Sequence, residues 1–72
     1  MKFSERLKEQ REKYNYTQKY ISRFLGLTQV SVSNWERGEK QPPFQVLIDL
    51  AALFGVSCDY LLGVTDNPAR VQ

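Results

Sequence analysis

Apolar residues recur at helical spacing near the start of the chain. Phe3, Leu7 and Tyr14 are separated by charged and amide side chains, which is typical of an amphipathic helix with one buried face. The pattern predicts a first helix from about Ser4 to Lys13. Asn15 is expected to end it, because asparagine adopts the left-handed backbone conformation more readily than most residues.

A second helix is predicted to begin at Gln18. Thr17 precedes it and has a hydroxyl that is suited to accept from the first backbone N–H groups of a helix. Gly26 is expected to end this helix. Its apolar stripe consists of Ile21, Phe24 and Leu25.

A third helix is predicted from Gln29 to about Arg37, after a connection of only about three residues. Thr28 is its expected N-cap, and Gly38 follows its end. Val32 and Trp35 should face inward, since they lie one turn apart. Two helices joined so tightly must cross at a steep angle.

Two more helices are predicted in the second half of the chain. Pro42 and Pro43 suit the entry to a helix, where proline loses no hydrogen bond. The apolar face of this fourth helix consists of Val46, Leu47, Leu50, Ala51 and Phe54, and Gly55 should close it. Ser57 should cap a short fifth helix, Cys58 to Leu62, which Gly63 ends.

The pattern therefore predicts an all-α fold with no strand. A chain of 72 residues has room for one domain, because it hides only about 60 % of its unfolded surface. We expect that domain over residues 1–63, followed by a flexible C-terminal tail over residues 64–72.

Composition excludes several classes of function. The chain has no histidine and one cysteine, Cys58, so we expect no metal, no cofactor and no disulfide chemistry. The longest apolar stretch, 46–56, is interrupted by Asp49 and is too short for a membrane span, and residues 1–8 do not read as a signal peptide. A cytoplasmic location and no membrane partner are expected. The formal net charge of +2 only weakly favours a nucleic acid partner.

The outward face of the third helix carries the candidate chemistry. Gln29, Ser31 and Asn34 are short and polar, and Gln and Asn can pair bidentately with adenine. Val30 is suited to meet a thymine methyl group. A tight helix pair whose second helix presents such residues is typical of a DNA-binding helix-turn-helix.

The segments TQKYISRFLGLTQVSVSNWERGEKQP and LIDLAALFGVSCDYLLG resemble the Cro and phage-repressor helix-turn-helix family, also called Xre-like. The resemblance covers nearly the whole chain, from about Phe3 to Gly63. It implies a five-helix lambda-repressor-like DNA-binding domain. It further implies a transcriptional regulator, expected to be a repressor, that binds a double-stranded DNA operator of inverted-repeat form as a homodimer.

The resemblance, together with the polarity and charge of single residues around the predicted groove, assigns roles to individual residues. The expected base-reading residues are Gln29, Val30, Ser31 and Asn34. The residues expected to contact phosphate are Gln18, Lys19, Thr28, Arg37, Lys40 and Phe44. A structural ion pair is implied between Arg11 and Glu36, and Phe44, Cys58 and Leu61 are expected where two copies would meet.

One other function stays open from the sequence alone. The polar residues of the third helix would also suit a solvated surface, and Tyr20 and Phe24 would suit a module that holds another protein. An enzyme is not expected, because the chain has no histidine, no glycine-rich phosphate loop and no paired carboxylates. No small-molecule ligand is evident.

Overall fold

The computed structural model describes residues 1–70 as five α-helices, with no β-strand among those residues. The helices are α1 (Phe3–Lys13), α2 (Gln18–Leu25), α3 (Gln29–Glu36), α4 (Phe44–Phe54) and α5 (Cys58–Leu62). The predicted all-α, five-helix fold is confirmed. None of the helices within residues 1–70 has the length and apolar character needed to cross a membrane.

Local signals set the helix boundaries. The hydroxyls of Thr17, Thr28 and Ser57 each accept a hydrogen bond from a backbone N–H at the start of the helix that follows. Asn15 has a φ of 58°, in the left-handed region, as its position after α1 predicted. These interactions join residues a few positions apart, so the chain specifies them without help from the rest of the fold.

Three boundaries differ slightly from the prediction. α1 begins at Phe3, one residue before the predicted Ser4. α3 ends at Glu36, and Arg37 lies outside it as the C-cap residue, because Gly38 follows with a φ of 73° and turns the backbone away. Pro43 lies at the N-cap of α4 and not within its first turn, and its neighbour Pro42 is buried.

One hydrophobic core connects the helices. Each helix contributes at least one residue to it, and α4 contributes most. The buried apolar residues are Leu7, Ile21, Val32, Trp35, Leu50, Ala51, Phe54, Val56 and Leu61. Val32 and Trp35 therefore face inward as predicted, which leaves the opposite side of α3 to solvent.

Residues 63–70, after α5, follow the surface of the helices without regular secondary structure. Asp66 Oδ1 accepts from Arg6 Nη2 at 3.1 Å, and the Pro68 carbonyl accepts from the Ser57 N–H at 3.1 Å. Arg70 Nη1 donates to the Ala51 carbonyl at 3.3 Å. The segment predicted to be a flexible tail thus has defined contacts up to residue 70, and residues 71 and 72 of that prediction lie outside the described residues.

Candidate nucleic-acid interface

The first three helices are joined by a polar cluster centred on Glu36, at the end of α3. Arg11 Nε donates to Glu36 Oε2 at 2.6 Å and Arg11 Nη2 donates to Glu36 Oε1 at 3.0 Å. Gln18 Nε2, from α2, donates to the same Oε1 at 3.1 Å, and Arg11 Nη1 donates to the Tyr16 carbonyl at 3.0 Å. The cluster therefore connects α1, α2 and α3.

The ion pair within this cluster is well shielded from water. The side chain of Glu36 is 5 % exposed and that of Arg11 is 15 % exposed. The hydrogen bond to Glu36 raises the pKa of Arg11 above its usual value, against the opposing effect of burial. The pair implied by the resemblance is thus present in the structure, and it holds the end of α3 against α1.

The outer face of α3 presents the predicted base-reading residues to differing degrees. Gln29 is exposed and Val30 is 66 % exposed, so both project into solvent. Ser31 is half-buried, and its hydroxyl lies 3.3 Å from that of Thr28, which also accepts from the Ser31 N–H. Asn34 is half-buried. The first turn of α3 is therefore the most accessible part of this face.

A shallow depression lies between α2 and the outer face of α3. Its lining consists of Gln18, Gln29, Val30, Ser33 and Arg37. Ser33 was not among the predicted site residues, although it lies one helical turn after Gln29. That spacing was the signal that would have placed Ser33 beside Gln29.

Arg37 is folded back along α3. Its Nη1 donates to Ser33 Oγ, and its Nη2 donates both to Asn34 Oδ1 and, at 3.2 Å, to Glu39 Oε2. The Arg37 and Glu39 side chains are 52 % and 59 % exposed, so water screens the ion pair between them. Arg37 thus lies on the same surface as Asn34.

The other residues expected to contact phosphate lie in α2, in the loop before α4 and at the start of α4. Gln18 is half-buried and its amide nitrogen is bound to Glu36, while Lys19 and Lys40 are exposed. Phe44 begins α4, where the backbone N–H groups have no partner within the helix. These groups come from three different segments of the chain.

A second surface, which is apolar, is formed mainly by α4 and α5. The Phe44 side chain is 85 % exposed, Ile48 is 49 % exposed and Leu62 is 39 % exposed. They border a groove of about 770 Å³, which we call the α4–α5 groove. Its lining consists of Lys2, Phe3, Ser4, Trp35, Gly38, Lys40, Gln41, Pro42, Phe44, Leu47, Ile48, Cys58 and Leu62.

The structure corrects one residue of the predicted contact between copies. Leu61 is fully buried in the core, so its side chain cannot reach another molecule and the prediction is wrong for this residue. Its neighbour Leu62 is exposed and lines the α4–α5 groove. In a helix as short as α5, the sequence does not show which of two adjacent leucines faces inward.

Comparison with known proteins gives the family. Residues 7–61 match a family model described as Helix-turn-helix, which is more than half of the chain. The chain belongs to this helix-turn-helix family, and the resemblance to Cro and phage repressors is confirmed. The matched relatives are named as transcriptional regulators, so the family is a non-enzymatic one.

Two relatives from Bacillus subtilis are matched over only part of their own length. It is 43 % identical over 63 residues to the transcriptional regulator ImmR, covering 88 % of this chain and 50 % of that protein. It is 35 % identical over 66 residues to the uncharacterized regulator YobD, covering 92 % and 59 %. The chain therefore spans about half to three fifths of these relatives.

Solved structures share the fold. The c2 repressor of phage P22, in complex with a synthetic operator, superposes with a TM-score of 0.80 at 32 % identity, covering 86 % of this chain and 94 % of that one. A transcriptional regulator from Listeria innocua gives a TM-score of 0.83 at 28 % identity, covering 99 % and 61 %.

Proposed function

We propose that this domain binds a double-stranded DNA operator with α3 in the major groove and that it serves a cytoplasmic transcriptional repressor. The observation that carries the proposal is the division of α3 into two faces. Val32 and Trp35 are buried while Gln29 and Val30 project outward, and Glu36 fixes the helix to α1 and α2. A helix held in this way presents its polar face at a constant angle, which base reading requires.

The first turn of α3 is the part proposed to read bases. Gln29 is exposed and has an amide that can donate to N7 and accept from N6 of adenine. Val30 is suited to pack against a thymine methyl group. Ser31 lies beside them, and its hydroxyl is shared between reading a base and contacting the hydroxyl of Thr28. Asn34 reads one turn further along.

Phosphate contacts are proposed to set the position of the domain on the duplex. The N-terminus of α2 at Gln18 and the N-terminus of α4 at Phe44 offer backbone N–H groups to phosphate oxygens. Lys19 and Lys40 add positive charge, as does Arg37, and Thr28 adds a hydroxyl beside the start of α3. Such contacts raise affinity for all sequences and make binding depend on salt.

Dimerisation through the α4–α5 groove is proposed to bring two copies onto an inverted repeat. Phe44, Ile48 and Leu62 form an exposed apolar border, and Cys58 lies within the lining. Burying these side chains against a second copy would remove apolar surface that is otherwise in water. The two half-sites would then lie about one turn of DNA apart.

Selection of bound duplexes from a random DNA pool tests the proposal. The wild-type domain and the Gln29→Ala, Asn34→Ala double variant are compared at moderate salt, with circular dichroism to show that both are folded. An enriched inverted repeat that the double variant loses supports a dimeric sequence reader. An absence of enrichment at any salt concentration contradicts it.

One observation favours a second candidate function, the capture of another protein by α2. Tyr20 is 48 % exposed and Phe24 is 49 % exposed, one turn apart, and Leu27 nearby is 42 % exposed. Large apolar side chains grouped in this way occur at protein interfaces. This function would tolerate substitution of Gln29 and Asn34, which separates it from the first.

A further inference from the structure

We propose that Arg37, instead of contacting phosphate, acts together with Asn34 to read a guanine. The inference rests on the proposed binding of α3 in the major groove, and it assigns one base of the operator. Asn34 by itself would suit adenine, because a free amide offers one donor and one acceptor. The bonds that Arg37 makes in this structure change what Asn34 offers.

The direction of the Asn34 amide follows from its partner. Arg37 Nη2 donates to Asn34 Oδ1. A guanidinium has only donors, so the amide must turn its oxygen toward Arg37 and its NH₂ group away from it. Arg37 Nη1 is also bound to Ser33 Oγ, and Glu39 Oε2 accepts from Nη2 at 3.2 Å. Ser33 and Glu39 thus help to hold the guanidinium beside the Asn34 amide.

The pair then offers hydrogen-bond donors to the DNA. The NH₂ group of Asn34 is a donor. So are the remaining N–H groups of Arg37, which do not bind Ser33, Asn34 or Glu39. Guanine presents two acceptors, O6 and N7, at the same edge where adenine presents the N6 amino group beside N7. An N6 amino group would compete with Arg37 for the Asn34 oxygen and would lie beside a positive charge, whereas the guanine edge satisfies the donors.

The pair lies on the surface that is proposed to read bases. Arg37 lines the same shallow depression as Gln29 and Val30. Its side chain is 52 % exposed, so it can reach a ligand without leaving its place. Lys40, in the loop before α4, forms no side-chain hydrogen bond or ion pair within residues 1–70 and serves as a comparison cation.

The experiment compares base preferences of four proteins by selection from a random duplex pool. The proteins are the wild type, Asn34→Ala, Arg37→Met and Lys40→Met. The two Met variants make the same chemical change, from a cation to an apolar chain of similar length, at a site inside and a site outside the proposed pair. Circular dichroism and thermal melting show that each variant is folded.

We expect the wild type to enrich an operator that has a particular guanine in each half-site. Asn34→Ala and Arg37→Met should both cease to select this guanine. In each of these variants the preference for guanine at that position should fall about tenfold or more. Lys40→Met should instead weaken binding to all sequences alike. The inference is overturned if the preference that Asn34→Ala loses is for an adenine. It is also overturned if Arg37→Met keeps the wild-type base preference and binds every sequence more weakly. Failure of the wild type to enrich any sequence would instead contradict the proposed function itself.

Discussion

Arg11 in α1 and Glu36 in α3 form a two-point ion pair, with Arg11 Nε 2.6 Å from Glu36 Oε2 and Arg11 Nη2 3.0 Å from Glu36 Oε1. Glu36 lies at the C-terminal end of its helix, where the helix dipole disfavours a carboxylate. The guanidinium offsets that repulsion and fixes the end of α3 at the same time. The pair is therefore a structural support for the proposed reading helix and need not contact DNA.

Removal of the Glu36 charge should destabilise the domain strongly. Glu36→Gln leaves the largely buried Arg11 without its counter-charge, and we expect the free energy of unfolding to fall by about 3 kcal/mol. Urea denaturation measures the change. The matched control is Glu39→Gln, which breaks an exposed pair with Arg37 and should cost less than about 1 kcal/mol. Equal losses in the two variants would mean that the buried pair has no special role.

Two glycines that both end helices should respond differently to alanine. Gly26 and Gly63 have φ values of 70° and 82°, which strain any residue with a Cβ. A Cβ at Gly26 meets no atom within 4 Å, but a Cβ at Gly63 would lie 1.8 Å from the Met1 carbonyl oxygen.

We therefore expect Gly26→Ala to cost about 1 kcal/mol of unfolding free energy and Gly63→Ala to cost about 1 to 3 kcal/mol more. Thermal and urea unfolding of both variants measure the difference. A Gly63→Ala variant as stable as Gly26→Ala would show that the N-terminus moves away from α5 without cost.

Truncation of Gln29 should affect base choice and leave the fold intact. Gln29 is exposed in the first turn of α3, so Gln29→Ala should cost about 1 to 3 kcal/mol of discrimination at one base pair of each half-site. Binding to the selected operator and to single-base variants of it, measured by fluorescence anisotropy, gives this number. Gln45→Ala, an exposed glutamine on α4, is the control and should keep the preference. An unchanged base preference in Gln29→Ala would mean that Gln29 does not read a base.

Loss of the Lys40 charge should weaken binding to all duplexes alike. Lys40 is exposed in the loop before α4, and Lys40→Ala should reduce the slope of log affinity against log salt by about one for each bound copy. Titrations at several salt concentrations test this. The control is Lys8→Ala, an exposed lysine on α1. A loss confined to one operator sequence would mean that Lys40 reads a base.

A polar residue at position 44 should weaken dimerisation. Phe44 is 85 % exposed at the border of the α4–α5 groove, so Phe44→Ser should lower the fraction of dimer in sedimentation experiments, with and without operator. Phe24→Ser removes an equally large side chain that lies on α2 and should leave the dimer unchanged. If only Phe24→Ser dissociated the dimer, the contact between copies would lie on α2 and not at the α4–α5 groove.

The sequence was most informative where one short segment determines the outcome. The starts of α2, α3 and α5 depend on a hydroxyl three residues before the N–H that it caps, so Thr17, Thr28 and Ser57 were recognisable as caps. Helical periodicity likewise separated Val32 and Trp35 from the outer face of α3. The wrong assignment of Leu61 arose because periodicity needs more than the five residues that α5 provides.

The order of the helices, their caps and the polar face of α3 were determined by the sequence alone, because each depends on interactions within one or two helical turns. The Arg11–Glu36 pair was implied only by the family resemblance. The tertiary structure decided that Gln18 joins this pair, that Leu61 is buried while Leu62 is exposed, and that Gly63 lies against Met1. Even the bonds from Arg37 to Asn34 and Ser33, which lie close in sequence, depend on side-chain rotamers. Most of these contacts join segments that are distant in sequence, and the others depend on which rotamer a side chain adopts. Only the packing of the whole chain determines both.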